Sequence, residues 1–119
     1  MSAAITWLPS ASRTTTQTSP DFSSQGCRNI AVVLDVTNVA AAPSVTVTIN
    51  GKDPASGKYY LLLAGAAVTT AVTNVYKVGP QLPAAANVSA NDVLAPTFQI
   101  VVTANNANAG TYSVGYVIN

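Results

Sequence analysis

Period-two alternation runs through most of this chain, and it leaves little choice of fold. In Val45-Thr46-Val47-Thr48-Ile49 the apolar residues fall on one side of an extended backbone and the threonines on the other. Successive side chains of a strand point to opposite faces, so such a run buries one face and wets the other. Residues 29–38 repeat the pattern, with Ile30, Val32, Leu34 and Val36 against Ala31, Val33, Asp35 and Thr37. Residues 97–103 carry Phe98, Ile100 and Val102 on one face, and residues 111–118 carry Tyr112, Val114, Tyr116 and Ile118. Residues 72–78 alternate less strictly. Residues 58–64 are apolar on both faces, which predicts a central or covered strand. Thr14, Thr16 and Thr18, interleaved with Thr15 and Gln17, suit an edge strand with two polar faces, which Ser19-Pro20-Asp21 ends.

Turn chemistry separates these runs. Asp53-Pro54 starts a turn with φ preset at the proline, and Gly57 supplies a left-handed position, which predicts a hairpin joining 44–51 to 58–64. Residues 105–110 (Asn-Asn-Ala-Asn-Ala-Gly) predict a second hairpin loop between the last two strands. Residues 64–70 read as strand or loop. Residues 83–92 predict a long loop with room for one helical turn. The sum is an all-β, antiparallel β-sandwich of roughly seven strands, immunoglobulin-like or jelly-roll-like in architecture, with an extended N-terminal arm. Residues 1–28 form the arm and edge strand and 29–119 the sandwich, within one domain. Trp7, in Ile5-Thr6-Trp7-Leu8-Pro9, either tucks into this core or anchors on a partner.

The same chain is poor in reactive groups. Of 119 residues 8% are charged, against about 25% in an ordinary soluble domain. There is no histidine, and the acids are the four aspartates Asp21, Asp35, Asp53 and Asp92, far apart in sequence. Nucleophilic catalysis needs a base beside the nucleophile, and glycoside hydrolysis needs paired carboxylates. Neither pattern occurs, so the expectation is no enzyme, no cofactor and no metal. An Asp-Pro turn cap explains Asp53 better than a calcium ligand. The five basic residues (Arg13, Arg28, Lys52, Lys58, Lys77) are scattered, and the net charge of +1 gives no basic face for nucleic acid. No apolar run approaches the ~20 residues of a membrane helix, and residues 1–10 lack the basic and apolar regions of a secretory signal. Cys27 is the sole cysteine, so no intrachain disulfide forms, which suggests synthesis in a reducing cytoplasm. It reads as a structural thiol. Asn87-Val88-Ser89 matches a glycosylation sequon by chance. The five tyrosines read as core or interface before sugar platforms.

Four stretches together resemble a known group. They are Val32–Thr37, Ser44–Ile49, residues 51–60 (Gly-Lys-Asp-Pro-Ala-Ser-Gly-Lys-Tyr-Tyr) and 111–115 (Thr-Tyr-Ser-Val-Gly). They resemble small all-β virion structural proteins of tailed bacteriophages, over about residues 30–117, and the 51–60 hairpin is the most specific part. The resemblance implies a virion component, a capsid decoration (cement) protein above all, made in the bacterial host cytoplasm and ending on the capsid surface. Its partners would be the major capsid protein and further copies of itself, as a homotrimer or homodimer. No catalytic residue carries over. A neutral surface agrees with repeated protein contacts, because few charges need desolvating. The expected contact residues are Ile5, Trp7 and Leu8 of the arm and Lys52, Asp53 and Lys58 of the hairpin. The alternative is a tail or baseplate component, or a module binding carbohydrate on the host surface.

Overall fold

The computed structural model describes residues 2–119, which form ten strands and no helix. In chain order they are β1 (Ala3–Arg13), β2 (Gln17–Thr18), β3 (Phe22–Ser23), β4 (Ile30–Asn38) and β5 (Val45–Lys52). β6 (Tyr59–Ala64), β7 (Thr73–Gly79), β8 (Ser89–Asn91), β9 (Thr97–Ala104) and β10 (Gly110–Ile118) follow. One sheet runs β1-β10-β4-β7-β8; the other runs β2-β9-β5-β6, with β3 also on β9. The two pack as a β-sandwich. All pairings are antiparallel except β7 with β8.

The alternation decides which face of each strand is buried. Ile30, Val32 and Leu34 of β4 and Tyr112, Val114, Tyr116 and Ile118 of β10 line one inner face. Val45, Val47 and Ile49 of β5 and Phe98, Ile100 and Val102 of β9 line the other. Each such side chain contributes about 1.5–3 kcal/mol on leaving water. Cys27 lies in the same core. The hairpin at 53–58 forms as expected: Asp53 N–H donates to Lys58 O at 2.7 Å, Gly57 N–H to Asp53 O at 2.8 Å, and Gly57 takes φ of 73°.

Four expectations are corrected. Residues 105–110 do not close a hairpin: β9 and β10 lie in different sheets, so this loop crosses between them. Its asparagines hold the crossing in place. Asn105 Nδ2 donates to Ser44 Oγ at 3.1 Å and Thr46 Oγ1 at 2.9 Å, and Asn106 and Asn108 both donate to Ala42 O. β6 is neither central nor covered; it ends its sheet, with Tyr59, Tyr60 and Leu61 exposed. A register shift between Ile49 and Asn50 sets Leu61 opposite Asn50 and Leu63 opposite Ile49, so Leu62 is the extra residue and both Leu62 and Leu63 turn inward. Residues 83–92 contain no helical turn; they carry β8, whose Ser89–Asn91 pairs with Lys77–Gly79. The strand count rises from about seven to ten because β1, β3 and β8 join.

The N-terminal segment is extended and supplies edge strands, but it does not project. β1 pairs with β10 from Ala3↔Ile118 to Arg13↔Gly110, with register shifts between Thr6 and Leu8 and between Leu8 and Ala11. These bulges hide its periodicity, since Trp7 and Leu8 are both half-buried although adjacent. Arg13 closes the far bulge by donating to Pro9 O and Tyr112 O, its guanidinium 4.9 Å from the Tyr112 ring centre.

Candidate interaction surfaces

The six expected contact residues fall into two groups. Ile5, Trp7 and Leu8 are half-buried and pack on the core. Trp7 meets Phe22 edge-on at 6.4 Å between ring centres, Phe22 meets Tyr116 at 5.0 Å and Phe98 at 5.7 Å, and Phe98 meets Tyr116 at 5.5 Å and 85°. Trp7 and Tyr116 belong to one sheet, Phe22 and Phe98 to the other. The rings therefore fasten the two layers at the β1 side, each pair adding about 0.5–1.5 kcal/mol beyond its burial.

The second group surrounds the hairpin. Asp53 is spent on the turn: its Oδ2 accepts from Ser56 Oγ at 2.7 Å and its Oδ1 from Ala55 N–H at 3.2 Å. These donors hold its carboxyl below the usual carboxylate range, Ser56 contributing most. Lys58 is exposed beside it. Lys52 Nζ lies 2.8 Å from Asp21 Oδ2, the single ion pair among the described residues. The Tyr59 hydroxyl donates to the other Asp21 oxygen. Lys52, then Tyr59, lowers the Asp21 pKa, and Asp21 in turn raises those of Lys52 and Tyr59. The Lys52 ammonium is also 5.6 Å from the Tyr59 ring centre.

The two groups meet at Asp21-Phe22, a segment sequence reasoning passed over. Phe22 receives Trp7 inside, and the next residue back, Asp21, receives Lys52 and Tyr59 outside. The only sequence signal was a lone aspartate in a strand-breaking Ser-Pro-Asp. Its partners lie 31 and 38 residues away, so no local pattern announces them.

The outward sheet faces differ. On the β2/β3-β9-β5-β6 sheet, Thr46, Thr48, Asn50, Thr97, Gln99 and Thr103 point out, and Asn50 Nδ2 donates to Gln99 Oε1 at 3.3 Å. Exposed Tyr59 and Leu61 mark its β6 margin. On the β1-β10-β4-β7-β8 sheet the outward residues include Ala4, Ala31, Val33, Val75, Gly115 and Val117. Among the described residues no three of Cys, Asp, Glu or His gather as a metal site.

Among solved structures, the chain is similar to the crystal structure of the SPBc2 prophage-derived protein YomS, with a TM-score of 0.59 and 12% sequence identity over 99% of this chain and 92% of that one. At this identity the likeness shows a shared fold. No family model matches the sequence, and no curated protein matches it.

Proposed function

We propose that this chain is a bacteriophage virion structural protein, and within that class a capsid decoration protein that stabilises junctions between capsomers. The observation that carries the phage reading is the fold it shares, end to end, with a prophage-derived protein. The decoration reading adds the sequence resemblance and the surface chemistry: two broad outward sheet faces, few charges, and side chains whose polar groups bond each other. Such a surface makes repeated contacts at small desolvation cost.

The contact with the major capsid protein is assigned to the hairpin side, where Lys52, Asp53 and Lys58 stand at the molecular surface on a turn stiffened by Asp53. Ile5, Trp7 and Leu8 reach a partner only along the open edge of β1, because their side chains pack on the core. The test is a cryo-EM reconstruction of purified particles whose genome encodes the chain. Sandwich-shaped density at threefold or twofold junctions of the capsid lattice is expected. Density confined to the tail would replace decoration with the tail or host-surface reading, for which the exposed Tyr59 and Leu61 margin is the place to look. No density anywhere on the particle overturns the virion reading.

A further inference from the structure

We propose that the outward face of the β1-β10-β4-β7-β8 sheet is a self-complementary surface that takes a second copy of this chain in a face-to-face, twofold-symmetric dimer. Register places three rows across this face. The first is Ala4, Val117, Ala31, Lys77 and Ser89; the second is Thr6, Gly115, Val33 and Val75; the third holds Ser113, Asp35 and Thr73. Every residue here is small except Lys77, and Val75 and Val117 are 39% and 45% exposed. Gly115 keeps the middle row low, and a Cβ there would sit 3.2 Å from Ile5 O.

The two charges decide the occupant. Lys77 lies two residues to one side of Val75, and Asp35 two residues to the other side of Val33, in neighbouring strands. A twofold axis lying along the middle row exchanges the first row with the third. It brings Lys77 over the partner's Thr73 and the partner's Asp35, and repeats that contact symmetrically, as an isologous interface requires. Asp35 is prepared for this, since Thr73 Oγ1 already donates to its Oδ1 at 2.8 Å. A cleft of about 220 Å³ under Ala31, Lys77, Leu82 and Val117 opens on the first row and receives the opposing third row. Four strands about 4.8 Å apart and about seven residues long at ~3.3 Å each, with the three residues of β8 beside them, give about 490 Å² in projection on each copy. Two such faces total about 980 Å², below the ~1,200–2,000 Å² of stable interfaces, so a weak dimer of micromolar strength fits.

Sedimentation velocity on the purified full chain, from about 5 to 200 µM, tests this. The wild type is expected to pass from monomer to dimer across the series. Val75→Glu should stay monomeric at every concentration while keeping the wild-type circular dichroism and thermal midpoint, and Thr48→Glu on the other sheet should still dimerise. Lys77→Asp alone should weaken the dimer about tenfold or more, because like charges then face each other. Lys77→Asp with Asp35→Lys should restore it to within about threefold. A wild-type monomer throughout, a trimer, a dimer that survives Val75→Glu, or a double variant no better than the single one overturns the proposal.

Discussion

The two sheets are alike inside and unlike outside. Inward, both present rows of Val, Ile, Leu and aromatic residues at less than a tenth exposed. Outward, one sheet offers mostly hydroxyls and amides in Thr46, Thr48, Asn50, Gln99 and Thr103 around a single Val101, and the other sets Ala31, Val33, Val75 and Val117 among Thr6, Asp35, Thr73, Lys77 and Ser113. Folding a sandwich requires the inner rows only. The outer rows are free to follow contact rather than stability, and on the proposed dimer their difference separates a face that stays wet from one that is covered.

Substitutions break or sharpen this comparison in descending order of effect. The largest belongs inside: Phe98 is fully buried and touches both Phe22 and Tyr116, so Phe98→Ala should cost about 3–5 kcal/mol in urea unfolding. A cost under about 1 kcal/mol would mean the ring cluster does not fasten the layers. Next is Tyr112, whose hydroxyl is buried without a hydrogen-bond partner among the described residues and whose pKa burial pushes up. Tyr112→Phe removes an unsatisfied group and should leave stability unchanged or raise it by up to about 1 kcal/mol. A clear loss would show that the hydroxyl is bonded.

Smaller still are the outward residues. Val33→Thr on one sheet and Thr48→Val on the other should each change unfolding free energy by no more than about 0.5 kcal/mol. Their effects on association should differ: the first lowers it, the second does not. Equal effects would erase the distinction between the faces.

The smallest effect is electrostatic and shows only in acid. Lys52, then Tyr59, holds the Asp21 carboxyl below its ordinary 3.8. A carboxyl lowered by folding stabilises the fold above its unfolded pKa and loses that contribution as pH falls through the folded value. Thermal midpoints measured from about pH 6 to pH 2 should therefore fall more steeply below pH 3.8 for the wild type than for Asp21→Asn. Asp53, also lowered, keeps part of that slope in the variant. Added salt should shrink the difference, since the pair is solvent-screened. Superimposable acid limbs would remove Asp21 from the account.

The inner rows were legible in the sequence because strict alternation survives in β4, β5, β9 and β10. Legibility failed where geometry interrupts the count. The bulges of β1 place Trp7 and Leu8 inward together, and the register shift at Ile49 turns Leu62 and Leu63 inward, so an edge strand reads as a central one. Residues 105–110 have the length and composition of a hairpin loop, and only the distant acceptors Ala42, Ser44 and Thr46 reveal a crossing. The hairpin at Asp53–Lys58 was visible from its turn chemistry. Asp21 was not, because its partners come from β5 and β6, and the apolar outward face was not, because Ala31, Val33, Val75 and Val117 gather only once the register is known.

The pairing of β1 with β10 also orders events in time. Of the described strands, the first to leave the ribosome hydrogen-bonds to the last. At ~5–20 residues per second, about a hundred residues of synthesis separate them, so β1 waits roughly 5–20 s for its neighbour. During that interval Trp7 and Leu8 have no sheet to lie on, and the sandwich closes only when Tyr112–Ile118 has emerged. Folding of this domain thus waits for β10, and a nascent chain stalled before residue 110 should remain open to protease along β1.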